Sequence, residues 1–166
     1  MQIKFLGHAG FQISFNNSTI LFDPWITKNG AFDHSWFQYP KNHHLWEEIL
    51  DDIRSFDSLF IYVTHEHKDH LDMDFLSAIN HRNVQLLFPK YRSEIMRDTF
   101  SELKNMSKKE IKETNRYDFE EFALRIFVDD TELTRDSAIA IESNNSVFLN
   151  INDCKVHDRI NEIKSY

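Results

Sequence analysis

Apolar residues alternate or cluster over residues 3–6, 11–15 and 19–22, separated by Gly7-His8-Ala9-Gly10 and by Asn16-Asn17-Ser18. Short runs of this kind bounded by turn formers predict an antiparallel meander. It ends at Asp23-Pro24, where proline withdraws a backbone donor and fixes the exit direction. Leu45-Trp46-Glu47-Glu48-Ile49-Leu50 opens a short helix. Leu59-Phe60-Ile61-Tyr62-Val63 is an unbroken apolar run, as expected of a strand covered on both faces. A helix over 74–80, a strand over 84–88 and a helix around 91–103 follow, then strands over 122–128, 137–141 and 147–151. Asn144-Asn145 supplies the last hairpin turn, because Asn tolerates positive φ better than other side chains with a Cβ. Residues 105–116, dense in Lys and Glu, read as a solvated connection. Alternating strands and helices imply α/β layers.

The stretch 25–45 has no clean period, yet Trp25, Phe32, Trp36, Phe37 and Tyr39 make it too aromatic for an ordinary linker. Two readings stand side by side: a flap packed over a pocket, or a satellite hydrophobic cluster under a long loop. Fifteen Phe against three Gly and three Pro supply apolar surface but few of the usual turn formers, so Asn carries turn work. At 166 residues the chain is expected to form one domain over 1–166, with an N-terminal half at 1–104 and a partial second half at 117–166.

A formal charge of -8 argues against a sequence-independent grip on nucleic acid, which needs clustered cations, and favours a small-molecule substrate. Cys154 is the only cysteine, so this chain alone builds no intrachain disulfide, thiolate zinc knuckle or iron–sulfur site. A reducing cytoplasm is the expected compartment. No stretch has the roughly 18–20 consecutive apolar residues of a membrane helix, so no membrane insertion is expected.

Candidate chemistry concentrates in Thr64-His65-Glu66-His67-Lys68-Asp69-His70, where the apolar strand runs out into a loop. His65 and His67, two apart, project to one side if the backbone stays extended and can share one ion, while Asp69 and His70 offer donors for a second. Any single histidine here would more simply be a solvated loop residue. Four potential ligands in six residues overturn that, since such crowding of charges and dipoles is costly without a cation. Two ions bridged by water would generate hydroxide at neutral pH and polarise a carbonyl or phosphoryl oxygen.

The HxHxDH run after a buried strand resembles the signature of the metallo-β-lactamase superfamily. That resemblance implies a four-layer αββα sandwich with two metals between the sheets, here expected to be incomplete in its C-terminal half. Gly7-His8-Ala9-Gly10-Phe11 and Leu21-Phe22-Asp23-Pro24 are similar to the opening meander of the branch with ascorbate-lactonase-like and phospholipase D-like enzymes. Asp23-Pro24-Trp25, Ala31-Phe32, Ser35-Trp36, Asp136-Ser137-Ala138 and Asn152-Asp153-Cys154 resemble the domain in CMP-N-acetylneuraminate hydroxylase-like proteins. By resemblance, Asp153 is the carboxylate bridging both metals and Asp23 a buried acid holding the histidine loop, against a plain turn role before Pro24. His8 is a candidate to line the site from the adjoining loop.

Two departures from the pattern matter. No histidine precedes the strand beginning near Ser137, where Asp136 or Asp130 is the candidate replacement, and oxygen donors shift preference toward harder ions. The family's last histidine, from a later strand, has only His157 as a counterpart, which reads as a surface residue. The leading expectation is therefore a hydrolase of an ester, lactone, amide or phosphodiester bond acting through a metal-bound hydroxide. Its metal set is His65, His67, Asp69, His70 and Asp153, with Asp69 also orienting the hydroxide, and it takes one or two divalent ions, zinc first, with iron or manganese as alternatives. The competing expectation is a truncated or degenerate domain that binds metal or a sugar-nucleotide-like ligand without turnover. Such a domain would self-associate or be completed by a partner chain through a sheet edge after Ile151. Oxygenase chemistry is set aside because it depends on a Rieske centre, and di-iron redox chemistry because it needs a flavin partner.

Overall fold

The computed structural model describes residues 1–80, 83–155 and 159–163. The predicted meander forms as β1 (Gln2–Gly7), β2 (Gly10–Ser14) and β3 (Ser18–Phe22), paired antiparallel in sequence order. Three crossovers then extend the same sheet in parallel. Helix α1 (Leu45–Asp52) with a following 3-10 turn leads to β4 (Ser58–Tyr62), α2 (Met73–Ile79) to β5 (Val84–Pro89), and α3 (Ile95–Phe100) to β6 (Ser107–Ile111). The result is a six-stranded sheet ordered β1 to β6. A second, four-stranded sheet is antiparallel throughout, ordered β10-β9-β8-β7 from β7 (Tyr117–Asp118), β8 (Ala123–Asp130), β9 (Arg135–Ser143) and β10 (Ser146–Asn150). Asn144 makes the β9–β10 turn at φ 52°.

The period of two along the strands sorts their side chains into two cores. Leu59 and Ile61 of β4, with Val84, Leu86 and Phe88 of β5, meet Ile49, Phe75, Leu76 and Phe100 of the helices. On the other face, Ile20, Phe22, Tyr62 and Leu87 interlock with Leu124, Ile126, Ile139 and Ile141 of the second sheet. Phe127, Ala138 and Ala140 look outward from that sheet onto Cys154 and Ile163, the latter on the single-turn α4 (Ile160–Ile163). The layers therefore read helix, sheet, sheet, helix, which is the αββα arrangement. None of the described helices is long and apolar enough to cross a membrane.

The solvated connection expected over 105–116 is corrected: its centre is strand β6, parallel to β5 with Leu87 opposite Lys109. Its Lys and Glu run hides the strand because an edge strand needs only its inward residue, here Ile111, to be apolar, and charge on such an edge discourages stray pairing. Aromatic rings receive the charge: Lys109 Nζ lies 4.9 Å from the Tyr117 ring and 5.3 Å from that of Phe119. Ile111→Ala is expected to cost about 2–5 kcal/mol in urea unfolding. A residue in a solvated connection would change stability by no more than about 0.5 kcal/mol.

Candidate metal centre

The carboxyl ends of the parallel strands β3 and β4 lie side by side, so whatever follows them in sequence meets in space. Asp23 follows β3 and the histidine run follows β4. The Asp23 amide donates to the Tyr62 carbonyl at 3.0 Å, carrying the strand pairing one residue beyond the sheet. Asp23 then turns sharply at φ 37°, in the left-handed region that short polar side chains tolerate better than most. It is fully buried, and its carboxylate accepts from the Thr64 amide at 2.8 Å, the Thr64 hydroxyl at 2.7 Å and the Asn152 side-chain amide at 2.8 Å. Its Oδ2 also lies 3.1 Å from His70 Nδ1.

These partners assign the imidazole tautomers. His70 Nδ1 faces an acceptor and so carries hydrogen, which leaves Nε2 with its lone pair turned inward. The Thr64 hydroxyl, its own proton given to Asp23, receives His65 Nδ1–H at 3.0 Å, and Asp136 Oδ1 lies 3.3 Å from the same nitrogen. His65 Nε2 is thereby left with its lone pair free to accept, 2.9 Å from His67 Nδ1. Burial opposes charge on His70, but its bond to Asp23 and the carboxylates of Asp23, Asp69 and Asp153 outweigh burial and raise its pKa. The field that favours a proton there also favours any other cation. Asp136 shifts upward because burial dominates, against the His65 contact and a 2.6 Å bond from the Ser137 amide.

Two donor groups result. His65, His70 and Asp153 form one and His8, Asp69 and His70 the other, each with ligand atoms within 4.8 Å of one another. His70 Nε2 stands 3.5 Å from both Asp69 Oδ2 and Asp153 Oδ2. Among the described residues, His70 Nε2 and Asp69 Oδ1 are buried here without a hydrogen-bond partner, as are Asp136 Oδ2 and Glu66 Oε2 in the adjoining wall. Unsatisfied buried donors and acceptors are costly unless an ion meets them, so this set fits a divalent cation. A cavity of about 270 Å³ opens onto His65 and His67, with Asp136, Asp153, Arg135 and Glu66 in its wall. Burial works against the Glu66 carboxylate, but the Arg135 guanidinium, donating from Nε at 2.8 Å, holds its pKa below the usual range.

The structure thus brings together His65, His67, Asp69, His70 and Asp153, with Asp23 behind the histidines and His8 beside Asp69. Asp136 sits behind His65, on the Nδ1 side. Asp130 is corrected as a replacement ligand: it turns away, accepting the Arg92 amide at 2.7 Å. His157 lies outside the described residues. The aromatic stretch packs at the edge of the site, for Trp25 and Trp36 contact the His8 ring with centroids 5.6 and 5.1 Å away.

Sequence reading missed three residues. Asp72 caps α2 through the Phe75 amide at 3.0 Å and also accepts the Ile26 and Thr27 amides at 3.0 and 2.8 Å, tying the aromatic stretch to the histidine loop. An acid just before a helix is a visible capping signal. Thr64 and Asn152 carry no such signal, since their partners are remote in sequence.

Residues 2–153 match the family model described as beta-lactamase superfamily domain. A putative Rieske 2Fe-2S iron-sulfur protein of Mycolicibacterium smegmatis is 38% identical over 91 residues, covering 55% of this chain and 16% of that protein. The inactive cytidine monophosphate-N-acetylneuraminic acid hydroxylase of Homo sapiens is 27% identical over 161 residues, covering 93% of this chain and 30% of that protein. The chain thus spans less than a third of the length of either relative. Among solved structures, CmlA, a diiron beta-hydroxylase from Streptomyces venezuelae, superposes with a TM-score of 0.64 at 17% identity, over 91% of this chain and 29% of that one. The metallo-beta-lactamase fold protein YhfI from Bacillus subtilis gives 0.56 at 10% identity, over 84% and 52%. At these identities the two structures share the fold.

Asp23→Asn keeps the shape but removes the charge and turns one acceptor into a donor. It is expected to weaken divalent-ion affinity by about 10- to 100-fold, as for other residues that orient ligands, measured by isothermal titration with zinc. Unchanged affinity would show that Asp23 is only a turn residue.

Proposed function

The chain belongs to the beta-lactamase superfamily, and on that premise we propose that it is a metal-dependent hydrolytic domain acting on an ester, lactone, amide or phosphodiester bond of a small molecule. The observation that carries the reading is the convergence of His65 Nε2, His67 Nδ1 and the unpartnered His70 Nε2 beside Asp69 and Asp153. His65, His67 and Asp153 would hold one ion, and Asp69 and His70 the other. When bound, such ions lower the pKa of water and polarise a substrate oxygen.

The chain's own residues account for the rest. Asp23 and Thr64 keep both imidazoles in the tautomer that leaves Nε2 basic. Asp69 retains Oδ1 as an acceptor without a partner among the described residues, able to orient a water or take its proton. The cavity of about 270 Å³ suits a small substrate, and Arg135 at its wall offers a guanidinium to an anionic group, once released from Glu66. The net charge of -8 supports a small molecule over nucleic acid.

A second reading is oxidative. Each donor group sets one carboxylate beside two imidazoles, a mixture that suits iron as well as zinc, and a diiron beta-hydroxylase shares the fold. Assembly with another segment is supported by β10, an edge strand with Val147 and Leu149 exposed.

Elemental analysis of untagged protein is expected to find one or two divalent ions per chain, and at least one fewer after the double change His65→Ala with His67→Ala. Lactonase, esterase and phosphodiesterase screens with zinc, manganese or iron should give turnover that the double variant loses. Turnover confined to the iron form with oxygen would favour the oxidative reading. Unchanged metal content in the double variant would overturn the site.

A further inference from the structure

We propose that His8 is itself a metal ligand, closing the second ion's site together with Asp69 and His70; this rests on the metal reading above. His8 occupies the tip of the β1–β2 hairpin at φ 48°, a left-handed conformation that residues with a Cβ seldom adopt. The turn delivers its imidazole to the histidine loop. His8 Nε2 lies 3.0 Å from Asp69 Oδ2, and His70 Nε2 lies 3.5 Å from the same oxygen. Ligands on a tetrahedral ion with bonds of roughly 2.0–2.1 Å are about 3.3 Å apart, and these separations bracket that value.

A plain ion pair between His8 and Asp69 is the simpler account of the 3.0 Å contact. It fails on what it leaves behind, because His70 Nε2 would stay buried without a partner and would still face the same carboxylate. One cation among the three groups answers all of them.

The division of donors points the same way. His70 Nε2 belongs to both possible groups, but an imidazole nitrogen has one lone pair and serves one ion. His65 has an alternative companion in His67, 2.9 Å away, so its ion can do without His70. Asp69 has no other histidine in its group than His8 and His70. His70 therefore goes with His8 and Asp69, leaving His65, His67 and Asp153 for the first ion.

The surroundings fix the His8 ring. Trp25 and Trp36 meet it edge to face, at interplanar angles of 86° and 90°, and His70 stands on another side with centroids 5.0 Å apart. Its side chain is 26% exposed, so an exchanging ligand or substrate still reaches that face of the site. The aromatic stretch would thus position a ligand through the rings of Trp25 and Trp36.

The test compares wild-type chain, His8→Ala, His8→Gln and His67→Ala, each stripped with chelator and titrated with zinc alone, with far-UV circular dichroism as the folding check. Two ions are expected in the wild type. His8→Ala should keep one and weaken the second by at least about 100-fold, beyond the loss from an orienting residue. Gln can still donate to Asp69 but lacks the imidazole lone pair, so a ligand role predicts that His8→Gln fails as His8→Ala does, whereas an ion-pair role predicts rescue. Should His8→Ala not fold, His8→Gln decides alone. Two ions bound with wild-type affinity in either His8 variant, or a single ion that only His67→Ala weakens, would overturn the assignment of His8 while leaving the metal reading intact. A wild-type chain that binds no zinc would overturn both.

Discussion

Asp23 has no exposed surface, and a carboxylate so placed is tolerated only if donors surround it. The fold supplies them from distant parts of the chain: Thr64 after β4, His70 within the histidine loop and Asn152 after β10. Satisfying this one buried charge therefore sets the tautomers of His65 and His70, the position of the loop and the seat of the second sheet's last turn. The geometry of the candidate metal centre follows from that constraint. Left-handed backbone at His8, Asp23 and Asn152 marks the same place, strain collecting where three connections are forced together.

Much of the fold was legible because it is written in periods. The unbroken apolar run ending at Val63 has one face for the helices and one for the other sheet, and it reads as a doubly covered strand for that physical reason. The meander and the Asn144 turn were equally plain. Strand β6 was not, since only Ile111 of its inward side speaks for burial and its Lys and Glu belong to an exposed edge. β7, two residues long, leaves no periodic trace.

The candidate site was legible where ligands are contiguous and obscure where they are not. His65, His67, Asp69 and His70 announce themselves by spacing. Thr64 and Asn152 look like any polar loop residues, because their meaning lies in the partners that the sheets bring to them. Asp136 was considered as a substitute ligand, and the structure sets it behind His65, a place that follows from β9 starting opposite the end of β8. The expectation that oxygenase chemistry can be set aside does not survive as an exclusion. A diiron enzyme uses the same fold, and the donors here suit iron.

The bond from Asn152 to Asp23 joins positions 129 residues apart in the chain. Even the pairing of Ser18 with Ser58 across β3 and β4 closes a much shorter loop, so this contact carries the larger entropic cost. An ion bound by residues from both sheets would act as a clasp, drawing the halves together by mass action in proportion to its concentration. Metal supply and the yield of folded chain would then be coupled, even before any substrate is met.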